Sequence, residues 1–174
     1  RNAGHWRAME AAGLEPLDPI EFTAPWASTA DAAMYDFWSS AVAGHLAERL
    51  ADDPEIDAIM APSDAQVFPI ATACRRLGRT PGDHITIVGY DDYWPECPER
   101  RWESYTPAAT VNKDNPRIGE ELVRLILDRA AGNLPDEPQH RFVDPTLAVI
   151  TGSAAPSVQP TSAELVAPPP RSTG

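Results

Sequence analysis

The stretch from residue 56 to residue 92 constrains the fold more than any other part of this sequence. It contains an apolar β-type run at 57–61, an amphipathic helical run at 65–77 and a second β-type run at 85–90. The second run carries apolar residues on both faces, which is typical of a strand covered by helices above and below. A strand, a helix and a second strand in this order form a βαβ unit, whose two strands are parallel.

Each of these two strands ends in an acidic corner. Ser63 and Asp64 follow the first strand, and Asp91 and Asp92 follow the second. In open α/β sheets, ligands bind in the crevice beyond the carboxyl ends of the parallel strands. We therefore expect both corners to face one cleft, and that cleft to hold the ligand.

The rest of the chain continues to alternate between helices and strands. The patterning predicts helices at 2–12, 29–51 and 115–131, and strands at 20–24, 108–112 and 146–150. Ser28 and Asp31 have the spacing of a capping box, which places the start of the second helix at Thr29. Such alternation predicts the α/β class, as a three-layer α/β/α sandwich with a mainly parallel sheet.

Two segments fall outside this pattern. Residues 93–107 have no hydrophobic period, and a loop of this length inside a compact domain is usually functional or mobile. Residues 154–174 form a tail rich in Pro, Ala and Ser with almost no core-forming side chains, and we expect this tail to be disordered.

Charge and cysteine content exclude some functions. The formal net charge of −12 would repel a polyanion, so this chain is not expected to bind DNA directly. Cys74 and Cys97 lack C-x-x-C spacing, which favours free thiols in a reducing compartment over a disulfide or a metal site. The sequence has no apolar run long enough for a membrane span and no visible signal peptide, so we expect a cytoplasmic protein. Because it opens on Arg1 rather than on Met, we interpret it as a piece of a longer protein.

An ordered series of short motifs resembles the effector-binding domain of lac-repressor-type (LacI/GalR-type) transcription regulators, which share the periplasmic-binding-protein fold. The motifs are R-N-A-G at 1–4, A-G-L at 12–14, A-P-S-D at 61–64 where the family has A-N-D, V-G-Y-D-D at 88–92, P-A-A-T-V at 107–111 and L-A-V-I-T-G-S at 147–153. The chain departs from the family at Ser63, which replaces an Asn, at Thr151, which replaces an Arg, and in a longer loop after Asp92 that carries Trp94 and Trp102.

The resemblance implies that residues 1–153 are the C-terminal lobe of a two-lobed receptor. In the family, the segment corresponding to 108–131 crosses back to an N-terminal lobe, which is missing here together with the helix-turn-helix headpiece. We therefore expect the helix in this segment to dock at an atypical surface, such as another copy of the chain. The partners implied are a small polar, sugar-like effector, a second subunit of a homodimer, and DNA only through the absent headpiece.

A sugar-like ligand needs paired hydrogen bonds to its hydroxyls and an apolar platform for its ring. Asp91 is the best polar candidate, since the family places a ligand-contacting carboxylate there, although an Asp at this position could also stabilise the turn by bonding nearby backbone. Arg1 matches a family position that contacts the effector. Trp26 lies in a loop where the family often has an aromatic ring against the ligand.

Two further candidates have strong structural alternatives. Ser63 stands in the place of the family's Asn, but Ser63 and Asp64 fit helix capping better than ligand contact. Trp94 could line the cleft or merely pack the long loop. Asp92 is interpreted as structural.

The sequence offers no signature of catalysis. It lacks G-x-S-x-G, a P-loop, H-E-x-x-H and a glycine-rich dinucleotide turn, and we expect no enzyme activity, no cofactor and no metal. The leading hypothesis is the sensory domain of a transcription regulator. The alternative is a solute-binding protein of an ABC-type sugar transporter, which has the same fold, and the doubled Asp91-Asp92 favours the regulator. A flavodoxin-like enzyme or response domain would need a phosphate or flavin loop, which is not found.

Overall fold

The computed structural model of the chain describes residues 2–21 and 31–150. In chain order the elements are α1 (Asn2–Ala11), α2 (Ala32–Asp52), β1 (Ala58–Met60), α3 (Asp64–Arg76), β2 (Thr86–Val88), two 3₁₀ helices (Trp94–Glu96 and Pro98–Arg101), β3 (Ala109–Asn112), α4 (Asn115–Ala130) and β4 (Thr146–Val149). Apart from the strand predicted at 20–24, the predicted elements are confirmed in type and order. Ile20 and Glu21 have irregular backbone, and the rest of that strand, like the tail at 154–174, lies outside the described residues.

The helix predicted to start at Thr29 begins at Ala32 instead. The Asp31 carboxylate accepts hydrogen bonds from the backbone N–H groups of Ala33 and Met34, so Asp31 is itself the N-cap. Asp is as good an N-cap as Ser. The capping-box spacing therefore identified the correct region but assigned the cap to the wrong residue.

The βαβ unit forms as predicted and contains the main core. β1 and β2 pair in parallel, with Ile59 opposite Ile87, and α3 joins them and packs against α2. Apolar side chains of both helices and of the second strand are buried together, namely Leu46, Val67, Ile70, Ala71, Cys74, Ile85 and Ile87. Burial of this apolar area is the main force that holds this half of the molecule together.

The second pair of strands is antiparallel, which the patterning did not predict. β3 pairs with β4, with Ala109 opposite Val149 and Asn112 opposite Thr146. Backbone hydrogen bonds attach β3 to the end of β2, from Ala108 N–H to the Ile87 carbonyl (3.0 Å) and from Gly89 N–H to the Ala109 carbonyl (2.8 Å). β3 therefore lies next to β2. After α4 the chain comes back as β4, which pairs with β3.

Helix α4 presents apolar side chains to solvent. None of its residues is buried, and Ile126 and Leu127 are 67% and 62% exposed. Phe142, in the segment that follows, is 77% exposed. A contiguous apolar surface of this kind is uncommon on a monomer and usually marks an interaction surface.

Candidate ligand site

The two acidic corners lie side by side, as the sequence predicted. Backbone hydrogen bonds join them, from Ala61 N–H to the Val88 carbonyl and from Asp64 N–H to the Tyr90 carbonyl, both at 2.8 Å. Because β1 and β2 are parallel, both corners fall at the same edge of the sheet. This edge is where a ligand is expected in a fold of this kind.

Asp64 does not cap its own helix. Its carboxylate accepts hydrogen bonds from the backbone N–H groups of Tyr93 (2.8 Å) and Trp94 (3.0 Å) and from the Thr110 hydroxyl (2.7 Å). The side chain thus caps the first 3₁₀ helix, Trp94–Glu96, which begins about thirty residues later in the chain. Asp64 is therefore a helix cap, as predicted, but it caps this 3₁₀ helix and not α3.

Ser63 occupies the N-cap position of α3 with an extended backbone, but its side chain makes no capping hydrogen bond. The capping role predicted for it is therefore wrong. Neither Ser63 nor Asp64 therefore caps α3 through its side chain. Ser63 lies at the edge of the sheet where the two corners meet.

Asp91 and Asp92 continue from the end of β2 with left-handed backbone conformations, at φ angles of 109° and 56°. Such angles are uncommon outside glycine, and they turn the chain sharply away from the strand. The Asp91 carboxylate is 17% exposed, and its Oδ1 lies 2.6 Å from the ammonium nitrogen of Lys113. The Asp92 carboxylate instead accepts a hydrogen bond from the Asn112 amide at 2.8 Å, which ties it to β3.

Lys113 was missed by the sequence analysis. Its ammonium group lies against Asp91 and 5.7 Å from the centre of the Tyr90 ring, and the side chain is 32% exposed. The sequence showed only that Lys113 follows a predicted strand, and the contact arises because that strand, β3, lies beside the end of β2 in the structure. The edge therefore carries an acceptor and a donor in contact with each other.

Trp94 is half-buried against the apolar cluster of Tyr35, Phe68 and Cys97, and the Arg100 guanidinium lies 5.2 Å from its ring centre. Its ring helps to pack the long loop. Its backbone N–H is held by Asp64 at the edge that carries Asp91.

The loop at 93–107 is anchored at several points. The buried Glu103 carboxylate accepts hydrogen bonds from Arg75 Nε (3.0 Å) and from the Tyr105 backbone N–H (2.9 Å). The Tyr105 hydroxyl accepts a hydrogen bond from the Ile87 backbone N–H at 3.1 Å. Trp102 stacks on Tyr35, with ring centres 4.8 Å apart. These contacts attach the loop to α2, α3 and β2.

Arg1 and Trp26 lie outside the described residues, so the structure brings together three of the five predicted site residues: Ser63, Asp91 and Trp94. Two hollows in the described part of the chain lie away from these residues. One of about 420 Å³ separates α4 from residues 139–143 and is lined mainly by apolar side chains. None of the predicted site residues lines it.

Both cysteines are buried free thiols. Burial raises the pKa of the Cys74 thiol to about 11 and that of the Cys97 thiol to about 12. A protonated thiol is a poor nucleophile and a poor metal ligand. The 2–21 and 31–150 ranges hold no group of three or more His, Cys, Asp or Glu side chains placed to bind a metal, and none of their helices is long and apolar enough to cross a membrane.

Comparisons with known proteins agree with this geometry. The family of periplasmic-binding-protein-like domains matches residues 1–153. The HTH-type transcriptional regulator CelR of Thermobifida fusca is 27% identical over 132 residues, which cover 76% of this chain and 34% of that protein. The chain thus spans about a third of the length of this curated relative.

Solved structures give the same result. A CelR–cellobiose complex is 26% identical with a TM-score of 0.58, and the match covers 84% of this chain and 39% of that one. A LacI family transcriptional regulator from Silicibacter pomeroyi is 27% identical with a TM-score of 0.59, covering 84% of this chain and 46% of that one.

The chain therefore belongs to the family of periplasmic-binding-protein-like domains, and the fold class inferred from its motifs is confirmed. The relatives named above are transcription regulators, one of them of the LacI family, which is the class that the motif order indicated.

Proposed function

We propose that this chain is the effector-sensing part of a LacI-type transcription regulator and binds a small, sugar-like metabolite at the edge formed by Ser63, Asp91, Trp94 and Lys113. The observation that carries the proposal is the contact between Asp91, which follows β2, and Lys113, which follows β3. The cellobiose bound to a similar regulator supports a carbohydrate as the ligand class.

The chemistry of the edge suits hydroxyl groups. A carboxylate accepts hydrogen bonds from one or two neighbouring hydroxyls, while an ammonium group donates to a hydroxyl oxygen. A sugar diol can engage both Asp91 and Lys113 without separating them, so the pair need not lose its own attraction on binding. Trp26 and Arg1 are proposed as a ring platform and a further donor.

Binding rather than catalysis is the proposed activity. The Asp91 and Asp92 carboxylates have different partners, Lys113 and Asn112, and so do not form an acid and base pair that faces one bond. The relatives reported above are transcription regulators, which favours this function over transport by a solute-binding protein. We propose no cofactor and a cytoplasmic site of action.

We propose that residues 108–131 cross to an N-terminal lobe in the whole regulator, and that the regulator is a homodimer whose headpiece binds DNA. The exposed apolar side chains of α4 support the first part, because an adjoining lobe would cover them. Effector binding between the lobes would then favour one of two conformations and so change DNA affinity.

Calorimetric titration of the whole regulator with cellobiose and a panel of other sugars tests this function. Asp91→Asn should weaken binding of the preferred sugar by about tenfold or more, because a charge-assisted hydrogen bond is lost. Asp83→Asn is the matched control, since the exposed Asp83 lies just before β2, at the opposite end from Asp91. Absence of binding by any sugar, or an Asp91→Asn variant that binds like the wild type, would contradict the proposal.

A further inference from the structure

Asp64 is a buried carboxylate whose burial needs an explanation. Its residue is 0% exposed, and its described partners are two backbone N–H groups and one hydroxyl. A buried charge destabilises a fold unless hydrogen bonds replace the lost water. Here three donors replace it, and all three come from segments that meet at the candidate ligand site.

The backbone at Gly89 leaves room for the Asp64 carboxylate. A Cβ atom built on Gly89 would overlap Asp64 Oδ1 and lie 3.1 Å from Asp64 Cγ and 3.2 Å from Val67 Cγ2. The missing side chain at Gly89 lets the backbone approach the carboxylate. After this glycine and Tyr90 come Asp91 and Asp92 with their left-handed φ angles.

Thr110 links the same carboxylate to β3. Its hydroxyl donates to Asp64 Oδ1, and the hydroxyl oxygen accepts a hydrogen bond from the Asp92 backbone N–H at 3.2 Å. Thr110 is 1% exposed and stands three residues before Lys113. Both members of the Asp91–Lys113 pair therefore lie on segments attached to Asp64.

We propose that Asp64 is a positioning residue: with Thr110 it holds residues 89–94 and β3 in the arrangement that presents Asp91 and Lys113 to the ligand. The part of this inference that concerns ligand affinity rests on the proposed function. The part that concerns the conformation of residues 89–94 does not, and it can be tested without any ligand.

Three variants distinguish positioning from general stability. Asp64→Ala removes the acceptor. Asp64→Asn keeps the shape, because its amide oxygen can accept from Tyr93 and Trp94 while its amide N–H donates to Thr110. Leu46→Ala is the control, since it destabilises the buried core of α2 without touching the two corners.

The first measurement is amide hydrogen exchange by NMR on the chain without ligand. In Asp64→Ala, exchange at the Tyr93 and Trp94 amides should accelerate by about tenfold or more relative to Ile87, as the loss of a hydrogen bond predicts. Asp64→Asn should stay close to the wild type, and Leu46→Ala should not single out these two amides. Unchanged exchange in Asp64→Ala, a uniform rise like that of Leu46→Ala, or an Asp64→Asn variant as fast as Asp64→Ala would overturn the proposal.

Thr110→Val tests the link to β3 separately. This variant removes the acceptor of the Asp92 amide and one donor to Asp64, but leaves the Tyr93 and Trp94 amides bonded to the carboxylate. Exchange at Asp92 should accelerate while Tyr93 and Trp94 remain protected. Equally accelerated exchange at all three amides would show that Thr110 does not hold the Asp92 amide independently of the bonds from Asp64 to Tyr93 and Trp94.

The second measurement is sugar affinity in the whole regulator, using the sugar selected by the titration panel. Asp64→Ala should lose about tenfold or more in affinity and Asp64→Asn should retain most of it, since only the first variant frees the segment that carries Asp91. Equal affinity of Asp64→Ala and wild type would overturn the ligand part of the inference. If the wild type binds no sugar, the proposed function fails, and the exchange experiment still decides the role of Asp64.

Discussion

The two halves of the described chain differ in what holds them together. Residues 32–107 bury an apolar core between α2, α3 and β2, and their long loop is attached to it through Glu103 and Tyr105. Residues 108–150 form an antiparallel pair of strands and, between them in the chain, a helix that buries none of its residues. The first half contains its own packing partners. The second half leaves apolar side chains of α4 exposed, such as those of Ile126 and Leu127.

The surface of α4 shows the same contrast in its polar groups. The Arg117 Nη2 atom lies 2.8 Å from Glu121 Oε1, and the Arg124 Nη1 atom lies 3.0 Å from the same oxygen. Each arginine is about one helical turn from Glu121. Such pairs contribute about 0.3–0.5 kcal/mol each to helix stability. They support the helix as a helix, but they do not attach it to the rest of the molecule.

Truncation of one side chain in each half tests this difference in packing most directly. Phe68 is fully buried in α3, and Phe68→Ala should lower the free energy of unfolding by about 3–5 kcal/mol, because it removes apolar contacts and leaves a cavity. Leu127→Ala on α4 should change it by less than about 0.5 kcal/mol. Urea denaturation of the chain measures both. Similar losses at the two sites would show that α4 is packed in solution and that the contrast is wrong.

A smaller effect is expected at the anchor of the long loop. Glu103→Ala leaves Arg75 and the Tyr105 amide without their acceptor, and it should cost about 1–3 kcal/mol in the same denaturation experiment. Glu96→Ala, an exposed position in the same loop, is the matched control and should be close to neutral. If Glu103→Ala proves as neutral as its control, the loop does not belong to the packed half.

The smallest effect at neutral pH concerns the two thiols, which both lie in the packed half. Their folded-state pKa values, about 11 for Cys74 and about 12 for Cys97, exceed the ordinary value of 9.0. The free energy of unfolding is therefore unaffected by the two thiols below pH 9 and falls as the pH rises through 9 toward 11 and above. The reason is that the thiols of the unfolded chain lose their protons at a lower pH than those of the folded chain. Denaturation midpoints should be flat from about pH 7 to 8.5 and fall above 9.

Alkylation of the native chain at pH 7.5 provides the control for that experiment. Both thiols should react only after unfolding, since thiolate rather than thiol is the nucleophile. Fast labelling of either cysteine in the folded chain would show that its surroundings open far more often than those of a core residue.

The sequence was sufficient for the βαβ unit because the signals there are local. The strand periods, the end of the helical run at residue 77 and the two acidic corners each depend on a few neighbouring residues. The next residue is Gly78, and its left-handed φ of 72° ends the helix in the way glycine usually does. The order of β3, α4 and β4 was predictable for the same reason. Their antiparallel pairing was not, because it depends on how the long segment after α4 returns.

The roles of Asp64 and Lys113 could not be predicted in the same way. An Asp at the start of a helix has the same local pattern whether it caps that helix or another segment, and the amides it binds belong to Tyr93 and Trp94. Lys113 acquires its role only when β3 is placed beside β2. Contacts between residues so far apart in the sequence depend on the tertiary structure, and no local sequence pattern predicts them.

The close approach of Gly89 to Asp64 has a consequence for redesign of this protein. Positions 64 and 89 share one space, so a side chain can be enlarged at one only if it is reduced at the other. A library that varies Asp91, Trp94 and Lys113 can keep positions 64 and 89 fixed and so retain the backbone arrangement of the two corners, whereas randomising either of these positions alone would mostly yield chains with a displaced corner.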